Sequence, residues 1–440
     1  MKRTKFPKEA WVLLGGSFMI ALGYGIVAPV MPLLANSFGV SFAVAGLVVS
    51  VFAAMRFVAG PLASFFTTRF GGLPGLLVGL SIVTVTTIFC AYAASMTELL
   101  VWRALGGIGS VTFSVASSVM LFGLAPATAR AQIVSLNAAA FLSGNIIGPL
   151  LGALLVPFGM RAPFIVYGVI LALTAALIAV LLRNSRVGRK PDSRAAKNSA
   201  MTLGEGLRFQ SFRGSLIGGF SNGIVWGMRM AILPLFIASY ISKDPAAAGW
   251  AMAAYAAGNA LLVVPAGRLN DRLGRRPLII IGTLVSAVAL LLLPFSTEII
   301  LMIIVVAIIG MAGALANPGI NATVADVAGK RGSAKLIASL SMVTDLGVVI
   351  GPVAVGALLD GVSPLAAFWA CALMMLITCT VWVFSPEPLR LHTKQSSEVL
   401  PTVSPDIAPA TGAISIVELP ETTGSIPIAG FDPQEKSEED

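Results

Sequence analysis

Residues 267–277 read GRLNDRLGRRP and lie between two strongly apolar stretches. A fainter copy, SFFTTRFGGLP, occupies residues 64–74, an offset of 203. A polar, arginine-rich run flanked on both sides by apolar sequence marks a connection at a membrane surface. Its recurrence at a fixed offset makes the chain a duplicated membrane protein.

Hydrophobic residues make up 57% of the 440 and charged residues 11%, with a mean hydropathy of +0.91, so most of the chain cannot face water. Crossing a hydrocarbon core of about 30 Å takes roughly 20 helical residues. Twelve segments meet that requirement, numbered here as spans 1 to 12: 11–34, 43–66, 74–94, 97–123, 130–156, 163–183, 213–240, 246–268, 277–296, 299–325, 333–358 and 364–385. The predicted fold class is all-α integral membrane. A β-barrel would alternate apolar and polar residues in segments of about ten, whereas residues 278–294 are almost uninterruptedly apolar. The basic start (Lys2, Arg3, Lys5, Lys8) has the outline of a signal peptide, but the apolar run behind it is too long and ends in no small-residue cleavage pattern. It is read as span 1. Cys90, Cys371 and Cys379 all fall inside spans, which argues against disulfides and metal binding. The single histidine, His392, lies beyond span 12, so no imidazole is available in the membrane, and no cofactor is expected.

Basic residues crowd the connections after even-numbered spans: Arg69, then Arg186, Arg189, Lys190, Arg194 and Lys197, then Arg272, Arg275 and Arg276, then Lys330, Arg331 and Lys335. Connections after odd-numbered spans carry little beyond Arg161 and the Lys243/Asp244 pair. Positive residues stay in the cytoplasm, so both termini are expected there, with the chain in the inner (plasma) membrane. The basic patches fit anionic lipid headgroups rather than nucleic acid. Residues 386–440 hold ten Asp or Glu against three Lys or Arg, with frequent Pro, Ser and Thr, and are expected to be a disordered cytoplasmic tail. Removing the tail's −7 from the net +9 leaves +16 on residues 1–385, which sharpens the charge asymmetry. LPETTG at 419–424 looks like a cell-wall sorting signal, but no apolar anchor follows it. The expected organisation is a six-span half (1–183), a cytoplasmic linker (184–212), a second six-span half (213–385) and the tail.

The offset aligns more than one connection. SGNIIGPLLGA at 143–153 carries Gly144, Gly148, Pro149 and Gly152, and the pattern returns in span 11 as Gly347, Gly351, Pro352 and Gly356. VAPVMPL at 27–33 has a counterpart in RMAILPL at 229–235. Glycines four apart let neighbouring helices approach closely, and the embedded proline weakens the helix into a pivot. Residues 99–109, LLVWRALGGIG, centre on Arg103 several residues inside span 4, where a charge costs about 2.5–3.5 kcal/mol on insertion scales.

Together these stretches resemble the major facilitator superfamily. The run at 267–277 is similar to the signature connection between the second and third helices of each half, and the helix-4 arginine to another family motif. The glycine–proline pattern of span 5 resembles the antiporter motif found mainly in exporters. The resemblance covers roughly residues 10–385, is strongest to the twelve-helix drug/proton antiporter branch, and implies two pseudo-symmetric six-helix halves working by alternating access. It assigns Arg103 to proton coupling or substrate response. The first copy of the connection departs from the pattern, with Thr68 where Asp is expected and Gly123 opposite Asp326. In the second copy Asp271 can cap a helix N-terminus, while Arg272 or Arg275 can reach Asp326. A charged latch on the cytoplasmic side is therefore expected to operate mainly in the second half.

Away from the span ends charges are few: Arg56, Arg103, Arg229 and one carboxylate, Asp345. That balance favours anionic or zwitterionic cargo over lipophilic cations. Asp345 is the candidate for reversible protonation, because low-dielectric surroundings penalise the charged form of an acid. The acid that the antiporter branch often places in span 1 is absent from residues 18–34. Tyr24, Asn145, Trp226, Tyr255, Asn259, Asn317 and Asn321 are candidate polar or aromatic cavity residues beside Arg56 and Arg229. The expected function is proton-coupled efflux of an amphipathic small molecule by a monomer. Import of a sugar, amino acid or organic anion, and a non-transporting lipid-assembly or sensory role, are the rivals. No GxxxxGK[ST] loop occurs, and no nucleophile, base and orienting residue converge, so neither an ATP-driven pump nor an enzyme is expected.

Overall fold

The computed structural model describes residues 6–124, 130–183, 202–244, 246–328 and 334–387. Among these the chain is helical, with twelve helices long and apolar enough to cross a membrane: Lys8–Asn36, Phe42–Phe70, Gly72–Tyr92, Met96–Leu124, Ser135–Phe158, Ala162–Leu182, Gln210–Tyr240, Ala246–Asn270, Arg275–Phe295, Ile299–Val327, Lys335–Gly361 and Pro364–Val383. They correspond one to one with the twelve expected spans.

Span 1 is broken. Its helix Lys8–Val27 gives way to a turn at residues 28–30 and restarts as Met31–Asn36. Pro29 and Pro32 lack the N–H that a continuous ladder needs. The counterpart in span 7 has one proline, Pro234, and Gln210–Tyr240 runs through it unbroken.

The repeated connection is shorter than the sequence suggests. Helix continues through most of it, to Phe70 in the first copy and to Leu273 in the second. The turn falls on Gly71 (φ 102°) and on Gly274 (φ 100°), 203 residues apart, each in a backbone conformation that side chains disfavour. That shared requirement is why both copies keep a glycine there. Of the expected linker, residues 202–212 are described. Thr202 and Glu205 form a reciprocal capping box on the short helix Leu203–Gly206, ahead of span 7.

Within each half the glycine–proline spans sit backbone to backbone on their partners. A Cβ on Gly144 would come within 2.6 Å of Phe18 O, and one on Gly351 within 2.8 Å of Ile224 Cα, so spans 5 and 11 press on spans 1 and 7. Gly356 does not belong to this set. It falls one residue beyond the strict offset from Gly152 and faces the other half, where a Cβ would lie 2.7 Å from Ala43 Cα in span 2. A shift of one residue turns a helical position by about 100°, enough to exchange an intra-half neighbour for an inter-half one.

Candidate functional site

A cavity of about 680 Å³ lies between the halves, and all eleven candidate coupling and cavity residues line it: Tyr24, Arg56, Arg103, Asn145, Trp226, Arg229, Tyr255, Asn259, Asn317, Asn321 and Asp345. The first-half wall is organised around Phe52 of span 2. The Arg103 guanidinium stacks 4.1 Å from its ring centroid, and Arg103 Nε donates to Val48 O at 3.1 Å. Arg103 thus ties span 4 to the backbone of span 2 and covers an aromatic face, a geometry that suits a planar guanidinium better than an ammonium. Arg56 donates to the Ser110 hydroxyl. Tyr24 lies 6.0 Å from Phe52 and stacks at 6.1 Å on Trp226, an aromatic contact that crosses from span 1 to span 7.

The second-half wall holds Arg229, buried at 8% exposure, with its guanidinium 3.5 Å from the centroid of the Tyr255 ring. Asn259 donates to Gly310 O at 3.2 Å and so joins spans 8 and 10. Asn317 keeps a buried side-chain oxygen without a described partner. Asn145 and Asn321 bond to their own helices, at Phe141 O and Asn317 O, and remain exposed to the opening. Asp345, near the middle of span 11, is also exposed, and it makes no ion pair with a described residue. Three cations therefore face one exposed carboxylate across a largely aromatic and aliphatic wall. Phe52, Ser110, Asn222 and Trp102 also line the cavity and were not singled out from sequence. Phe52 and Ser110 gain meaning only once Arg103 and Arg56 are seen to turn toward them, whereas Asn222, an amide in an apolar helix, carries a signal in the sequence itself.

Among the described residues the halves close on one face. Where spans 2 and 8 begin and spans 5 and 11 end, Gly46 packs on Pro352, Gly356 on Ala43 and Gly249 on Ala153. Toward the opposite face, which carries the connections after even-numbered spans, Asn145, Asn321 and Asp345 are exposed. On that face Arg275 pairs with Asp326 at 3.2 Å, with both side chains largely buried. Arg275, rather than Arg272, makes this contact, and Arg272 is exposed. The pair joins spans 9 and 10 within the second half, so it does not bridge the halves. The Asp271 side chain lies outside the described set. Glu387, just after span 12, accepts from Arg275 N (2.8 Å) and Arg276 N (3.0 Å), and Arg276 Nε donates to Trp382 O. In the first copy Thr68 donates only to Ser64 O of its own helix.

Twelve spans in two pseudo-symmetric halves, around a cavity closed on one face, define a multi-pass membrane transporter. The chain belongs to the Major Facilitator Superfamily, whose family model matches residues 13–214 and 215–423. It is 28% identical over 356 residues to "Tetracycline resistance protein, class D" of Salmonella ordonez, covering 78% of this chain and 88% of that protein. It is 26% identical over 403 residues to "Multi-drug resistance efflux pump PmrA homolog" of Lactococcus lactis, covering 87% and 96%. A solved POT family transporter in complex with a thioalcohol-conjugated peptide superposes with a TM-score of 0.74 at 14% identity, over 86% of this chain and 96% of that one, a likeness of fold alone.

Proposed function

We propose that this protein is a proton-coupled exporter of amphipathic small molecules, anionic or zwitterionic by preference, working by alternating access as a monomer in the inner membrane. The observation that carries this reading is the charge of the cavity: Arg56, Arg103 and Arg229 against the single Asp345, set among Tyr24, Phe52, Trp226 and Tyr255. Cations beside aromatic faces suit a cargo with an acidic head and an apolar body. Both halves contribute walls, so one chain suffices for a complete site. The antiporter-type glycine motif and the relatives named for tetracycline resistance and multi-drug efflux support the export direction. The basic connections orient the open face toward the cytoplasm, with both termini on that side. Protons are the coupling ion in this reading, and one proton crossing about 150 mV supplies roughly 3.5 kcal/mol, enough for a gradient of a few hundredfold.

Asp345 is the proton-carrying group of this scheme. Its exposure to the cavity gives it access to protons and cargo in the same state, as competition between them requires. Reconstituted vesicles with an imposed pH gradient test it. Wild-type protein should accumulate an anionic or zwitterionic amphipath against its gradient. Asp345→Asn should lose pH-driven accumulation while retaining substrate exchange, and full accumulation by that variant would remove Asp345 as the proton site.

A further inference from the structure

At the closed face a carboxylate of one half meets the backbone of the other. Span 2 begins at Phe42, and the first amide groups of a helix have no partner within it. Ser41 Oγ accepts from Val44 N at 3.4 Å. The next two amides are taken from the other half: Asp360, at the end of span 11, accepts from Phe42 N through Oδ1 at 2.9 Å and from Ala43 N through Oδ2 at 2.8 Å. Both carboxylate oxygens are used, and the negative charge sits on the positive end of the span 2 dipole.

Neighbouring small residues make this reach possible. Gly356, one turn before Asp360, leaves room for Ala43, and Gly46, one turn into span 2, would place a Cβ 2.9 Å from Pro352 O. Any side chain at either glycine would hold the helices apart and draw the carboxylate off the amides. The arrangement is not duplicated. The offset of 203 brings Pro157, which has no carboxylate, to the place of Asp360. The start of span 8 is capped instead by Asp244 of its own half, through Ala246 N at 2.9 Å. In the second seam on this face Gly249 packs on Ala153. Neither the Arg275–Asp326 pair nor the Arg103–Val48 bond crosses between halves.

We propose that Asp360 is the latch of the closed face: its carboxylate holds spans 2 and 11 together while the cavity is open on the opposite side, and it must leave the span 2 amides before this face can open. The inference rests on alternating access but on neither the cargo nor the coupling ion. A transporter in which Asp360 was merely a surface acid would switch equally well without it.

Spin labels on Phe158 and Val362, exposed on this face at 80% and 70% and belonging to opposite halves, report its opening in the purified, reconstituted full-length protein by electron–electron distance measurement. Removing a helix cap of this kind shifts an equilibrium by roughly tenfold. Asp360→Ala should therefore raise the open-to-closed ratio of this face about tenfold over wild type. Asp360→Asn keeps one acceptor oxygen and should fall between the two. Asp244→Ala, which removes a cap confined to one half, should leave the distances unchanged. Unaltered distances in folded Asp360→Ala, or an equal shift in Asp244→Ala, would overturn the latch. If Asp360→Ala does not fold, the near-isosteric Asp360→Asn decides, and unaltered distances there have the same meaning. These distances are read without substrate or pH gradient, so failure of the proton-coupled export reading would leave their outcome intact.

Discussion

Arg229 separates a substrate role from a structural one. It is 8% exposed, its guanidinium lies against the Tyr255 ring, and it forms no ion pair with a described residue. A carboxylate docked about 4 Å from it at an effective dielectric near 20 would gain about 4 kcal/mol. Stripping water from the carboxylate takes back part of this and leaves the 1.5–3 kcal/mol typical of charged hydrogen bonds. At about 2 kcal/mol, Arg229→Gln should weaken binding of an anionic amphipath roughly 30-fold. The methyl ester of the same compound carries no charge for Arg229 to meet, so its affinity should change little. Thermal stability gives the second reading. A cation inside a span costs about 2.5–3.5 kcal/mol, and stacking on Tyr255 returns about 2 kcal/mol. Arg229→Met removes both, so its Tm should match or slightly exceed that of wild type. Titration of purified protein with acid and ester, alongside melting curves of both variants, is the assay. Equal loss of acid and ester affinity, or a Tm lowered by many degrees in Arg229→Met, would refute the reasoning and make Arg229 a structural cation.

Three further outcomes are expected. Gly148→Val should abolish the folded protein, since a Cβ there would already come within 2.7 Å of Gly25 Cα, whereas Gly123→Ala, with nothing within 4 Å, should be neutral in expression and melting. Asp326→Asn breaks the largely buried pair with Arg275 and should lower Tm and flux, while Thr68→Ala loses only a bond to its own helix and should change neither. Truncation after Leu391 should leave folding and transport nearly intact, but truncation after Ser385 also removes the Glu387 carboxylate from the amides of Arg275 and Arg276 and should lower Tm measurably.

The fold was legible because its signals are long or repeated. Uninterrupted apolar runs fixed the number of spans, and glycines at a constant offset tied span 5 to span 11 and Gly71 to Gly274. The charged and amide candidates stand out for a related reason, since a charge or an amide inside an apolar helix is costly, although Asn222 carries the same signal and was not among them. What sequence did not supply was the partner of each residue. Arg103 was visible as a buried charge, but its seat on Val48 O and the Phe52 ring depends on the facing of two helices. Gly356 was visible as a glycine, but its one-residue departure from the offset decides that it serves the inter-half seam.

Nothing in the sequence marks Asp360, because an acid beside a glycine at the end of a span reads as an ordinary surface connection. Its importance follows from the place where duplication fails. A duplicated chain builds two equivalent seams on each face, and symmetry alone would make them equal in strength. Here one seam carries a carboxylate on two amides, and the described residues of the other place Gly249 on Ala153. The ion pair on the opposite face is likewise confined to the second half, where Arg275 meets Asp326, while Thr68 and Gly123 occupy the corresponding places in the first. The Asp360 cap and the Arg275–Asp326 pair thus both draw their carboxylate from the second half. A conformational change in this protein is accordingly expected to be governed by the second half, with the first half supplying backbone amides on one face and, among the described residues, Thr68 and Gly123 in place of a charged pair on the other.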